Sequence, residues 1–318
     1  MNIVYLDGHT LNPGDLTWAP LQALGNLTVY ERTKPEDVVR VLEGADIVLT
    51  NKVQLTRDII EQLPNLKYIG VTATGYNVVD VEAARERNIP VTNVSSYGSQ
   101  AVAQHVFAFI LHFTNDVARL SDSARNGQWT NSPDFCYWFS PLTELSGKTL
   151  GLIGFGHIAK EVARIAHAFS MRVMAYRRNA KPEPGYEFVQ LISQEELFKE
   201  SDFISLHCPL TDETKGLINA ERLSWMKPSA ILINTGRGPL VVEQDLAAAL
   251  QHKTIAGAAV DVLSVEPPKK DNPLLAAPNC VVTPHVAWVA REARQRLLQM
   301  TADNIQAFLK GNPIHVVN

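Results

Sequence analysis

Lys148-Thr149-Leu150-Gly151-Leu152-Ile153-Gly154-Phe155-Gly156-His157-Ile158-Ala159 is the stretch that decides how this chain folds. It reads as an apolar strand, a glycine turn and the start of a helix. Gly154 can turn tightly, and Gly156 has no side chain to keep a pyrophosphate from the backbone. The helix that opens there offers unpaired N–H groups and the positive end of its dipole. Ala159 is small enough for helix and strand to pack closely. Ile158, Val162, Ile165 and Phe169 are expected to form the helix's apolar face. A second strand, Arg172 to Tyr176, completes a βαβ unit, and that context gives the glycine pattern its meaning.

Strand and helix alternate outward from this unit in both directions. Strands are expected at Asn2–Leu6, Leu27–Tyr30, Asp46–Thr50, Leu66–Val71 and Val91–Val94. A second series covers Thr149–Ile153, Arg172–Tyr176, Phe203–Leu206, Ile231–Asn234, Ala256–Val260 and Val281–Thr283. Helical patterns fall between them, as at Pro35–Leu42 and at Thr56–Leu63, where Thr56 stands as the cap. Such alternation predicts parallel sheets covered by helices on both faces. Two series predict two α/β domains, joined by the helical stretches Ser99–Arg125 and Arg291–Leu309.

Composition excludes several functions. A length of 318 residues accommodates two domains, and a net charge of −4 gives no electrostatic case for nucleic acid or an anionic membrane. Cys136, Cys208 and Cys280 are scattered, so neither a zinc site nor a disulfide scaffold is expected, and no metal is assigned. The start, Met1-Asn2-Ile3-Val4-Tyr5-Leu6-Asp7, has no basic n-region, and the apolar helix at Ala101–Phe113 is too short and polar to span a bilayer. A cytoplasmic enzyme is the expectation.

In parallel sheets ligands bind beyond the carboxyl ends of the strands. That edge carries Thr235-Gly236-Arg237-Gly238, Asp261, Glu266-Pro267-Pro268, Pro284-His285 and His207-Cys208-Pro209. In the first series it carries Asn51-Lys52 and Thr74-Gly75-Tyr76-Asn77. His105 and His112 lie on an apolar helix without thiol or carboxylate partners in register and read as core or interface histidines.

Five motifs in one order give the chain its family resemblance: Gly151–Ala159, Ser205-Leu206-His207-Cys208-Pro209-Leu210-Thr211, Asn234–Gly238, Asp261-Val262 with Glu266-Pro267, and Thr283-Pro284-His285. Over its full length the chain resembles the D-isomer-specific 2-hydroxyacid dehydrogenases, and within them the glycerate dehydrogenase/hydroxypyruvate reductase branch. The resemblance implies two doubly wound parallel-sheet domains. Residues 1–98 and 290–318 would form a flavodoxin-like substrate-binding domain, and the inserted residues 99–289 a Rossmann dinucleotide-binding domain. It further implies a homodimer, an active site in the cleft, and a small 2-keto or 2-hydroxy acid as substrate. Gly154, Phe155, Gly156, His157, Ile158, Cys208, Pro209, Thr235 and Gly236 would line the cofactor, and Asp261 would hold the nicotinamide amide.

The chemistry asks for these residue types. Arg237 can grip carboxylate and carbonyl oxygens with a planar fork that stays charged. Reduction leaves charge on oxygen, so a proton donor is needed, and His285 has the right ordinary pKa. Glu266 would orient the imidazole and favour its charged form. Lys52, with the N–H groups of Thr74, Gly75 and Tyr76, would hold the far end of the substrate. The aromatic loop Gly127–Ser140 (Trp129, Phe135, Tyr137, Trp138, Phe139) would pack on a second subunit.

The second strand of the βαβ unit ends in Tyr176-Arg177-Arg178-Asn179-Ala180-Lys181, where an NAD-preferring fold usually has Asp or Glu. With the acid absent and three cations present, NADP rather than NAD is expected, with Arg177 and Arg178 flanking the 2′-phosphate. The rival from another class is a nucleotide-sensing, corepressor-like binding protein on the same scaffold; the Arg237, Glu266 and His285 set speaks against it. Glu266 likewise speaks against the formate dehydrogenase type.

Overall fold

The structure, a computed structural model, describes residues 1–179 and 181–318, so Ala180 of the run just quoted lies outside it. By contacts the chain forms two compact units, Met1–Gly98 with Trp288–Asn318, and Ser99–Ala287. The return into the first unit comes two residues before the expected 290, because Trp288 packs edge-on against Tyr97, with ring centroids 6.2 Å apart.

The first unit is built on β1 (Asn2–Tyr5), β2 (Asn26–Val29), β3 (Ile47–Thr50), β4 (Tyr68–Val71) and β5 (Val91–Thr92). All pair in parallel in the order β2-β1-β3-β4-β5, the flavodoxin-like order. Every residue of β3 and β4 is buried, as expected of strands covered on both faces. The helix Arg291–Leu309 lays Phe308 against Tyr68, with centroids 4.8 Å apart. The end of the chain is tied to the sheet edge, where Val317 N–H donates to the Val91 carbonyl and Val91 N–H to Asn318 Oδ1, each at 2.9 Å.

The second unit holds β6 (Thr149–Ile153), β7 (Arg172–Tyr176), β8 (Val189–Leu191), β9 (Phe203–Leu206), β10 (Ile231–Asn234), β11 (Gly257–Val260) and β12 (Cys280–Val282). Their order, β12-β11-β10-β9-β6-β7-β8, is that of a Rossmann sheet with one further strand, all parallel. β6 lies between β7 and β9, so the turn that follows it sits where the strand order reverses. Ligands bind at such a switch point.

Several expectations are corrected. β8 is an extra strand; at three residues, alternately half-buried and exposed, it is too short to show a period. Pro35–Leu42 is a 3₁₀ turn (Pro35–Asp37) followed by one α turn (Val38–Val41). Thr56 does cap its helix by position, but its side chain makes no cap bond. The stretch Ser99–Arg125 breaks into Ser99–Asn115 and Val117–Arg125 at Asp116, whose φ of 48° no α-helix accommodates. On the helix His157–Ala168 the buried face is Ala159, Val162, Ala163 and Ala166, with Ile158 and Ile165 packed at its margin. Small side chains win the centre because the helix lies close to the sheet and to Val106 and Phe107. Phe169 is left 40% exposed, stacked on Phe107 at 5.5 Å. Among the described residues, no helix is long and apolar enough to cross a membrane.

Candidate active site

The turn after β6 is shaped for a pyrophosphate. Gly154 has φ +93°, and a Cβ there would lie 2.7 Å from the backbone of His207 and Cys208, so only glycine lets the loops after β6 and β9 come so close. A Cβ on Gly156 would meet nothing within 4 Å; the space over it is open. The N–H groups of Phe155 and Gly156 have no acceptor among the described residues. The 12-residue helix that follows has no side-chain cap at Gly156, so its first-turn N–H groups are also unsatisfied. Nearby strand ends add buried, unpartnered polar atoms, namely Thr235 Oγ1 after β10 and His207 Nε2 after β9. A dinucleotide would supply partners for all of these, so the residues fit one. His207 is no rival proton donor, since burial pushes its imidazole down to about 4 and leaves it neutral at working pH. Burial likewise raises the Cys208 thiol, which stays protonated beside exposed Pro209.

The loop after β10 is organised by Asn234, which is fully buried. Its Oδ1 accepts from Gly236 N at 3.0 Å and its Nδ2 donates to the Arg237 carbonyl at 2.9 Å. This presents the Arg237 guanidinium, half-buried and, among the described residues, bonded to the Gly236 carbonyl alone, at 2.8 Å. Among the described residues no carboxylate lies within ion-pair distance of it, leaving a cation with spare donors. Gly238 then passes so close to the Leu263–Ser264 backbone that a Cβ would sit 2.0 Å from the Leu263 carbonyl carbon. The arginine loop and the segment leading to Glu266 are thereby pressed together.

Glu266 and His285 form a dyad. His285 Nδ1 lies 2.6 Å from Glu266 Oε2, while Oε1 accepts from Leu263 N at 2.9 Å. With both carboxylate oxygens engaged, the proton is fixed on Nδ1, and Nε2 becomes the exchangeable position. His285 adopts φ 56°, a left-handed conformation that costs on the order of 1–3 kcal/mol and must be enforced by its surroundings. Asp261 enforces it. Its carbonyl accepts from His285 N at 2.8 Å. Its buried carboxylate accepts from Thr283 Oγ1 at 2.5 Å and from Val286 and Ala287 N, each at 2.8 Å. A carboxylate has about four lone-pair positions, so one on Oδ2 stays open. His105, read as a core or interface histidine, is half-buried against Phe109 with Nε2 3.2 Å from Thr283 Oγ1 and 3.8 Å from Asp261. Asn234 and Thr283 entered the sequence reading only as members of motifs and His105 only as a core or interface histidine; none was given a site role. Thr283 and Asn234 stand at strand ends, where the edge rule had a signal for them; His105 had none.

In the first unit, Asp7 at the β1–β3 switch point was also missed, although it too follows a strand end. Its carboxylate accepts from Asn51, Lys52 and Val53 N at 2.8, 2.6 and 3.2 Å, so it shapes the Lys52 loop. Burial raises its pKa more than those three bonds lower it. The loop after β4 is anchored by Asn93 Nδ2 donating to the Thr74 carbonyl at 2.7 Å. The N–H groups of Thr74, Gly75 and Tyr76 have no acceptor among the described residues, three successive donors of the kind that can serve an anion.

The end of β7 departs from expectation. The run Tyr176–Lys181 carries no acid itself, but the fold brings two to it. Arg177 Nη1 donates to Glu183 Oε2 at 2.9 Å, and the other oxygen of Glu183 accepts from Lys160 Nζ at 2.5 Å. These two cations hold the Glu183 carboxyl below the usual carboxylate range. Arg178 Nη2 donates to Glu213 at 2.6 Å, with both side chains 72% exposed.

Comparison with known proteins gives the family. The profile of the family "D-isomer specific 2-hydroxyacid dehydrogenase, NAD binding domain" matches residues 107–287. The chain is 46% identical to a hydroxypyruvate reductase of Blautia hydrogenotrophica over 321 residues, covering 100% of both chains. It is 42% identical to a glycerate dehydrogenase of Methylorubrum extorquens over 318 residues, covering 99% of this chain and 98% of that one. Among solved structures it is similar to an acyclic imino acid reductase in complex with NADPH and D-Arg, with a TM-score of 0.86, 34% identity and full coverage of both chains.

Proposed function

This chain belongs to the D-isomer-specific 2-hydroxyacid dehydrogenases, and from that we propose that it interconverts hydroxypyruvate and D-glycerate, takes glyoxylate second, and prefers NADPH to NADH. That it is a nicotinamide-dependent oxidoreductase moving a hydride between a 2-keto acid and a 2-hydroxy acid follows from the family. The observation that carries the catalytic assignment is the 2.6 Å contact between His285 and Glu266, on the same sheet edge as an arginine with spare donors.

A nicotinamide cofactor held here would supply the hydride for the carbonyl carbon. The rest is work for the protein's own groups. Gly154, Phe155, Gly156, His157 and Ile158 would hold the pyrophosphate, and Cys208, Pro209, Thr235 and Gly236 would line the rest of the cofactor. Asp261 offers its open lone pair to the amide while it keeps the His285 loop in place. Arg237 grips the substrate carboxylate and polarises the carbonyl oxygen. His285 delivers the Nε2 proton to that oxygen as charge develops there, and Glu266 stabilises the ring throughout. In the reverse direction Nε2 takes the hydroxyl proton back. In the first unit, Lys52 and the N–H groups of Thr74, Gly75 and Tyr76 are donors suited to the substrate's oxygens. A site built to bond a terminal hydroxyl penalises an analogue without one, which favours hydroxypyruvate over pyruvate.

The experiment is a panel of 2-keto acids assayed with each nucleotide by loss of reduced-nicotinamide absorbance. The expected order of kcat/KM is hydroxypyruvate, then glyoxylate, then pyruvate, with NADPH ahead of NADH. Equal efficiency on hydroxypyruvate and a branched 2-keto acid defeats the substrate assignment. A preference for NADH defeats the cofactor assignment.

The loop that includes Trp129, Phe135 and Trp138 is 56, 90 and 62% exposed at those residues, a cluster of large apolar side chains in water of the kind that marks an interaction surface. We place a second copy of the chain over it. Sedimentation at micromolar concentration is expected to show a dimer, and Trp138→Glu to shift the population toward monomer. A wild-type monomer under those conditions removes this assignment.

A further inference from the structure

We propose that Glu183 is a resident counter-anion for the cofactor's 2′-phosphate: it occupies Arg177 when NADPH is absent, must release it when the phosphate arrives, and so limits how strongly the enzyme favours NADPH. The proposal rests on Arg177 being the phosphate's partner, as argued above.

Arg177 is the first residue beyond β7, the place from which Rossmann folds read the adenosine ribose. Its fork is turned to Glu183, six positions on, in a pair whose side chains are each only 27% exposed. A carboxylate brings one negative charge to this fork. A phosphate monoester brings about 1.5 to 2, with oxygens spaced for bidentate contact. The phosphate therefore wins Arg177, but only after the existing pair is broken. Glu183 is not stranded by the exchange, because Lys160 already holds its other oxygen at 2.5 Å. The segment bearing it borders a cavity of about 480 Å³ lined by Phe155, Pro182, Glu183, Tyr186 and Glu187, which leaves room for the carboxylate to yield.

NADH brings no 2′-phosphate, so the pair stays intact when it binds, and Glu183 does not tax that cofactor. The neighbouring Arg178–Glu213 pair cannot set the preference in the same way. At 72% exposure on both sides it is worth little and opens freely.

The test is calorimetric titration of the full chain with adenosine 2′,5′-bisphosphate, and with ADP as the control lacking the 2′-phosphate. Glu183→Gln is expected to tighten the bisphosphate about fivefold while ADP changes less than about twofold. An unchanged or weaker bisphosphate Kd, with ADP steady, overturns the proposal. Should Glu183→Gln weaken both ligands through a disturbed loop, Glu183→Asp decides. It keeps the charge but shortens the reach, so tightening supports the proposal and its absence overturns it. Arg177→Ala separates the two layers. A weaker bisphosphate with no gain in Glu183→Gln sinks only the role of Glu183. An unchanged bisphosphate Kd in Arg177→Ala sinks the assignment of Arg177 itself, and this proposal with it.

Discussion

His285→Asn is expected to lower kcat/KM for the 2-keto acid about 10²- to 10⁴-fold at neutral pH, the usual range for losing a positioned proton donor. Asparagine suits the site because it tolerates the left-handed backbone that His285 adopts at φ 56°. The loop held by Asp261 should therefore survive, and the loss should report the missing proton. Nucleotide affinity and the thermal midpoint are the controls, and both should stay near wild type. Activity within tenfold of wild type would remove His285 as the donor and would leave the 2.6 Å contact with Glu266 as a structural pair.

Arg237→Gln should cost about 10²- to 10³-fold in kcat/KM, because the substrate carboxylate then lies without its charged partner. Much of the loss should appear in KM for the keto acid. Arg237→Lys should recover only a small part of it, since an ammonium replaces the charge but not the fork. Nucleotide Kd is the control for the loop that Arg237 bonds at the Gly236 carbonyl, and it should stay within about threefold of wild type in both variants. A keto-acid KM within about threefold of wild type in Arg237→Gln would assign the arginine to the loop's structure rather than to the substrate.

The two variants probe groups found by the same route. Arg237 and His285 stood out as candidates because each follows a strand by three residues, and in a parallel sheet that edge is where ligands bind. The glycine turn was legible for a more local reason. Gly154 needs φ +93° and a close approach to the His207–Cys208 backbone, and both demands fall on one residue type. The errors were local too. Of the face read as Ile158, Val162, Ile165 and Phe169, Val162 is at the buried centre, but close packing on the sheet gave the rest of that centre to alanines and moved the isoleucines to its margin. β8 and the break at Asp116 left no periodic mark.

Glu183 shows where reading along the chain stops. The run after β7 looked like unopposed positive charge, and its counter-charges came from positions 183 and 213, with Lys160 joining from the glycine-turn helix. The dyad spans 19 residues, the Thr283–Asp261 bond 22, and the His105–Thr283 contact 178. Hydrophobic period, backbone need and strand-end position depend on near neighbours, so the amino-acid order alone gave two α/β sheets, a glycine turn between strand and helix, and the candidate residue types for the chemistry. Which donor meets which acceptor depends on strand order and on the path of each loop. Those follow from how whole elements pack, and packing alone joined Glu266 to His285, tied Asp261 to the loop beneath them, and set Glu183 against Arg177.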